Sequence, residues 1–466
     1  MSQKNTGFTK YLILFFPWAL ASVLSFIPVV SYLIAWLGSF FIFFLTLKGK
    51  IKSIPDDRTV PEQVMRPLFI VQIIFAGYTC CTSIFYFLNL LGYQYLEQTN
   101  SILAMETGKL VLTAQCQRYY CLGHAALVTG ILLFMRYPVE KKYYTENKKL
   151  ANLLLQTALI SFPVSLIFRS VPGLTQFYFQ LSSLSFISGT LALAFAIPLR
   201  KLVNTIICLI IYLFNLYQSV ISGYKEPVIL SVLILGIFLY PSYKKLVVAI
   251  FVPALIILFV YLPSYVASFR AAAWSGEETV NDASKIALDA LGNDKSDTNW
   301  EFLAYRLSEI DMFTQYVNTT PSQVDYYKFQ LLNQSAIALV PRIIWPSKPV
   351  TEEMVMQRVY DAGVANRNSI VSAKPAYIVD AYLSYGAIGI VIAMFAYGAI
   401  AQLIAQKAEY LFGGYILGTA LIFSGLFQIF WRGLSFEFII NTVFWSYVTM
   451  LLLFKVFRSR NIVKLV

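Results

Sequence analysis

Apolar residues in this chain come in blocks of about 20 rather than at helical or strand spacing. A helix of roughly that length crosses about 30 Å of hydrocarbon. Backbone amides inside a bilayer must pair within their own segment, so each block reads as a membrane helix. Composition agrees: of 466 residues, 58% are hydrophobic and only 13% charged. Soluble domains carry about a quarter charged residues, so this chain lacks the polar surface to face water all round. The blocks fall near 11–27, 29–47, 67–92, 115–136, 150–170, 179–199, 202–222, 227–243, 246–264, 375–401, 411–430 and 434–454. The first two form a hairpin around Pro28, because 11–47 is too long for one crossing. Lys4, Lys10 and Ala19-Leu20-Ala21 give the N-terminus the look of a signal peptide. The apolar run continues to Leu47, which makes it a retained anchor. The expected fold is therefore an all-α polytopic membrane protein with about twelve transmembrane helices. Soluble enzymes, secreted modules and nucleic-acid binders are excluded; the net charge of +12 lies beside apolar spans.

Basic residues set the expected sidedness. Alternate connections from Lys4 to Lys464 hold 21 of the 36 Lys and Arg residues, against five on the opposite face outside the long loop 265–374. Both termini are then cytoplasmic and that loop is outside. Three regions follow: nine helices over 1–264, a large outer loop over 265–374, and three helices over 375–466. The loop alone has soluble-protein composition, with 10 basic and 13 acidic residues and turn signals at Gly276, Gly292-Asn293-Asp294 and Pro321. Thr298-Asn299-Trp300-Glu301 has the spacing of a capping box, which predicts a helix over 299–317. A second amphipathic helix is expected over 322–340, followed by a stiff connector through Pro341, Pro346 and Pro349.

Chemistry must come from the few polar positions. The sequence has no HExxH, phosphate loop, GxSxG elbow or CxxC pair. Its only histidine, His124, reads as a buried packing residue, and Cys80, Cys81, Cys116, Cys121 and Cys208 read as small buried hydrophobes. No metal or cofactor site is expected. Arginine remains. Arg306 shares a helix face with Phe302, Leu303, Glu309, Ile310 and Phe313, so its guanidinium emerges from an apolar stripe beside Glu309 and Asp311. Arg432 lies in the outer turn Phe430-Trp431-Arg432-Gly433, where the sidedness rule disfavours a cation, and Glu437 follows one turn on. Arg270 ends the ninth span and Arg342 sits in the proline connector with Trp345 and Lys348. Fixed guanidiniums suit phosphate, and a pyrophosphate-linked lipid is the ligand such an arrangement fits. Trp345 and Trp431 are candidates for stacking on sugars or for an interfacial aromatic belt.

This layout resembles the Wzy-type oligosaccharide repeat-unit polymerases, which include the O-antigen and enterobacterial common antigen polymerases. The matching segments are Val340-Pro341-Arg342-Ile343-Ile344-Trp345-Pro346-Ser347-Lys348-Pro349, Phe302-Leu303-Ala304-Tyr305-Arg306, Arg432-Gly433-Leu434, and the stretch from Asp380 through Gly386 to Gly389. The resemblance covers roughly residues 260–450. The resemblance implies a metal-independent glycosyltransferase of the GT-C class in the bacterial inner membrane. Such an enzyme moves a growing glycan from undecaprenyl pyrophosphate onto a lipid-linked repeat unit on the outer face, beside a flippase and a chain-length regulator of the same pathway. Its catalytic arginines map onto Arg270, Arg306 and Arg432, with Glu309 or Asp311 as base and Arg342, Trp345, Lys348, Trp431 and Glu437 as substrate contacts. The R-x10-G pattern of other polymerases is missing from the outer-loop arginines. The competing readings are a lipid-linked oligosaccharide flippase and an O-antigen ligase; the latter is expected to carry a loop histidine, which this chain lacks.

Overall fold

The computed structural model describes residues 9–98, 107–140, 142–146, 150–171, 173–221, 225–273, 279–292, 296–368 and 373–466. The turn signals at Gly276 and at Asn293-Asp294, the Thr298 side chain, and Lys4, Lys141, Lys148 and Lys149 lie outside these. Among the described residues, eight helices are long and apolar enough to cross a membrane: Pro28–Leu47, Pro67–Leu90, Leu150–Ser170, Tyr178–Ala196, Leu202–Ile221, Lys244–Ala272, Tyr377–Leu411 and Phe436–Ser459. The chain is thus an all-α membrane protein. The other four expected blocks are also helical. Three are the shorter apolar helices Thr9–Val23, Val228–Leu239 and Ile416–Leu426, and the fourth is Thr107–Phe134.

Pro28 opens its helix at the first turn, where a missing N–H costs nothing. Ser31 hydroxyl then donates to the Ala21 carbonyl at 2.7 Å and closes the hairpin. Thr107–Phe134 is the central helix. It is ringed by Pro28–Leu47, Pro67–Leu90 and Tyr377–Leu411, and most of its length from Leu110 to Leu132 is buried. Glycine permits the tightest crossing: a Cβ on Gly130 would overlap the Phe395 carbonyl, and one on Gly398 the Leu127 carbonyl. Close backbone approach of this kind is how membrane helices gain packing where no hydrophobic drive exists between them. Several polar side chains inside the bundle are paired. Tyr32, Ser83 and Gln117 form one chain of hydrogen bonds, and Thr46, Gln72 and His124 another. His124 is buried as expected, and so are four of the five cysteines.

Three expected elements differ. The span read at 375–401 begins as Tyr377–Leu411, but its backbone leaves the helix at Tyr385 and Gly386, the latter at φ +60°. The limbs fold back on one another: the Tyr377 ring lies 4.9 Å from that of Tyr397, and its hydroxyl meets the Ala393 carbonyl at 3.4 Å. The expected helix over 299–317 is broken into Ser296–Glu301, a wider turn Phe302–Arg306, and Ile310–Thr319. The expected helix over 322–340 is only Gln330–Leu339.

The middle of the long loop does not stay at its end of the bundle. Tyr120 hydroxyl donates to the Ser308 carbonyl at 3.0 Å, and Phe313 packs on the rings of Tyr119 and Tyr120. Tyr120 is half-way along its 28-residue helix, about 20 Å from the far end at 1.5 Å per residue. That far end gathers several connections expected to share a face. Arg58 pairs with Glu409 at 2.5 Å, Tyr143 and Tyr144 pair antiparallel with Leu465 and Lys464, and Lys464 reaches Glu146 at 2.7 Å.

Candidate functional site

A fully buried cluster of charge lies where the long loop meets the last helices. Asp380 and Glu437 each lie in the first turn of an apolar helix, and both are fully buried. Ionisable groups so placed need a partner, and helix Thr351–Asp361 supplies it. Arg358 Nε and Nη2 donate to the two Asp380 oxygens, both at 2.8 Å. Its Nη1 and Nη2 donate to those of Glu437 at 2.9 and 2.7 Å. The Phe436 amide adds a bond to Asp380 Oδ2 at 2.8 Å. Burial pulls the Arg358 pKa down, but the Asp380 and Glu437 carboxylates reverse this and hold it above the ordinary value. One planar fork thereby ties three segments together, with one carboxylate more than it can neutralise.

A narrow recess lies beside this triad, lined by Tyr120, Glu309, Tyr316, Lys374 and Val379 among others. Glu309 occupies the left-handed region at φ 56° immediately before Ile310–Thr319. A non-glycine residue there stores strain, which native proteins retain mostly at functional sites. Lys374 pairs with Glu352 at 3.2 Å and lies 4.3 Å over the Phe438 ring. Tyr316 is buried, and its pKa is raised first by burial and then by the Asp380 charge. The recess thus brings the Glu309 carboxylate near the Tyr316 phenol, a pairing suited to proton transfer.

The expected site residues divide. Glu309 lines the recess and Glu437 belongs to the triad. Arg306 is exposed three residues before Glu309, with its carbonyl accepting from Tyr78. Arg432 is exposed beside Gly433, whose carbonyl accepts the Tyr377 amide at 2.5 Å. Asp311 is held by the Tyr86 hydroxyl at 2.6 Å. Arg270 is half-buried in the last turn of Lys244–Ala273, which packs mainly on Val280–Asp289 and on Lys225–Leu239. Arg342 donates to the carbonyls of Pro346 and Pro349 at 3.2 and 3.1 Å. Lys348 donates to those of Ala338 and Val340 at 3.1 and 2.7 Å, and burial, then Arg342, lowers its pKa. These two cations brace the connector. Trp345 is exposed and Trp431 buried, its Nε1 with no hydrogen-bond partner among the described residues. Arg358 escaped the sequence reading; the signal for it was the pair of carboxylates inside apolar helices. Among the described residues no group of three His, Cys, Asp or Glu side chains is placed to hold a metal.

Fold and site define an all-α membrane protein whose polar loop packs into its own bundle. The chain belongs to the family described as a domain of unknown function (DUF8712), whose model matches residues 16–465. No curated protein and no solved structure matches it.

Proposed function

We propose that this chain is a membrane-embedded glycan polymerase of the Wzy type, crossing the bilayer twelve times with both termini cytoplasmic. Its substrate is an undecaprenyl-pyrophosphate-linked oligosaccharide. The observation that carries this reading is that three of the resembling segments, or residues close beside them, meet where the long loop joins the last helices. Glu309 lines one recess with Lys374 and Val379, Gly433 bonds Tyr377, and Glu437 is joined through Arg358 to Asp380. Arg306, three residues before Glu309, and Arg432, next to Gly433, are both exposed.

The proposed reaction uses these groups in order. The bond from the donor sugar's anomeric carbon to the pyrophosphate oxygen breaks, and the acceptor hydroxyl oxygen forms the new glycosidic bond. Glu309 takes the hydroxyl proton. Arg306 and Arg432 stabilise the negative charge growing on the departing diphosphate, the kind of preorganised stabilisation that gives enzymes their largest single rate gain.

A second reading, a lipid-linked oligosaccharide transporter, draws on a different observation. Buried charge and interrupted helices are features of transporters, and the triad and the turn at Gly386 supply both. One experiment separates the two. Arg306→Ala and Arg432→Ala chains are expressed in a host lacking its own copy, and surface glycan is resolved by length. The expected result is loss of polymer with single repeat units retained, and impairment also with Arg→Lys, which keeps the charge but loses the planar fork. Loss of all outward glycan supports the transporter, and an unchanged ladder overturns the polymerase.

A further inference from the structure

The segment Ile343-Ile344-Trp345 is uncharged and strongly exposed, at 58%, 72% and 39%. It lies in the one part of the chain with soluble composition, where such exposure has no lipid-facing helix to explain it. We propose that this tip is a fixed wedge that inserts into the acyl boundary of the bilayer leaflet on the loop side, so that its partner is the lipid itself.

Three observations carry this. The first is rigidity. The Ile344 and Trp345 amides both donate to the Pro341 carbonyl, at 2.9 and 3.0 Å. Arg342 grips the carbonyls of Pro346 and Pro349, and Lys348 those of Ala338 and Val340. The tip is shaped before it meets anything, so little ordering opposes its insertion.

The second is level. Gly173 lies in the link between the membrane-length helices Leu150–Ser170 and Tyr178–Ala196, and a Cβ there would come within 2.9 Å of the Ile343 amide nitrogen. The Leu339 carbonyl is held by Trp445 Nε1 at 2.9 Å, and Trp445 packs edge-on against Phe177 at 5.0 Å. The connector therefore rests on the rim where those helices end. The same rim exposes Ile167 at 59% and Phe179 at 66%, so the tip continues an exposed apolar surface of membrane-length helices.

The third is chemistry. Two aliphatic side chains beside a tryptophan whose Nε1 is bonded to Ser347 at 3.1 Å have the apolar body and polar edge that the membrane interface selects. A patch facing water would instead be an aggregation liability.

This inference needs the chain to span a membrane, and it is independent of the polymerase reading. The test uses the full chain in lipid nanodiscs, labelled with an environment-sensitive maleimide at Ile344→Cys, with Ile343→Cys as a second position. Gln323→Cys in an exposed polar loop serves as the aqueous control, and the unsubstituted chain reports labelling of the native cysteines. The label at 344 is expected to shift to the blue relative to 323, to lose most of its emission to nitroxide-bearing lipid, and to be shielded from aqueous iodide. Iodide quenching equal to that at 323 overturns the proposal. So does shielding from both quenchers, which would mean that protein, such as a second copy of this chain, covers the tip.

Discussion

Arg358 holds two carboxylates with a single guanidinium, all three groups almost wholly removed from solvent. Removing one partner of a buried ion set costs far more than the set itself contributes, because the remaining charges stay buried. Arg358→Leu is expected to lower stability by about 3–5 kcal/mol on that ground, read as thermal unfolding in detergent micelles. The triple change Arg358→Met, Asp380→Asn and Glu437→Gln removes every charge and should recover most of the loss. If the single and triple variants unfold alike, the triad is not an electrostatic unit. The carboxylates were legible in the sequence, since each stands in the first turn of an apolar helix, but the choice of cation was not. Ten basic residues lie in the loop 265–374, and nothing local distinguishes Arg358, which follows Glu352 and Glu353 on an ordinary amphipathic helix. Arg342 and Lys348 looked like ligand binders for the opposite reason. Prolines cannot donate backbone hydrogen bonds, so the connector leaves carbonyls to be satisfied by side chains, a demand that periodicity does not reveal.

The break at Glu309 shows why one continuous helix over 299–317 fails. Trp300 Nε1 must reach Asn89 at 2.8 Å, and Asn89 in turn donates to Tyr305 at 3.1 Å. Phe313 must face Tyr119 and Tyr120 on the central helix. A straight helix does not present both sets to neighbours lying in different directions, so the chain widens at Phe302–Arg306 and turns through a left-handed Glu309. Apolar residues on both sides of the break keep helical spacing, which is why the pattern read as unbroken. Glycine adopts this backbone without strain, so Glu309→Gly is expected to stabilise the fold by about 1 kcal/mol. Glu309→Gln retains the strain while removing the carboxylate. If Glu309 is the base, both variants lose polymer formation although only the first gains stability. Unimpaired polymer in Glu309→Gln would move the proton-accepting role elsewhere, with Asp311, bonded to Tyr86, as the next carboxylate on that segment.

At the scale of the whole molecule, charge placement and geometry arrive at the same grouping by separate routes. The connections richest in Lys and Arg, from residues 48–66, 136–146 and 455–466, meet through Arg58, Glu409, Tyr143 and Lys464. Charge distribution was sufficient here because each connection is short and borders an apolar helix. It was not sufficient for the loop 265–374. Soluble composition there gives no sign of depth, whereas Ser308–Val317 packs half-way along the central helix. Its polar groups are matched by phenols on neighbouring helices, Ser308 by Tyr120 and Asp311 by Tyr86, so composition cannot separate it from a surface helix. Two accessibility measurements follow. A membrane-impermeant maleimide should label Gln323→Cys in intact cells and Asn461→Cys only after lysis, because the two lie at opposite ends of the bundle. Labelling of both in intact cells would overturn the sidedness. Amide hydrogen exchange should be slow through Phe313–Val317, inside a helix whose side chains are largely buried, and fast at the exposed Asp325. If Phe313–Val317 exchanged as fast as Asp325, the loop would be a solvated lid, and Glu309 would lose the enclosed setting in which a carboxylate serves as base.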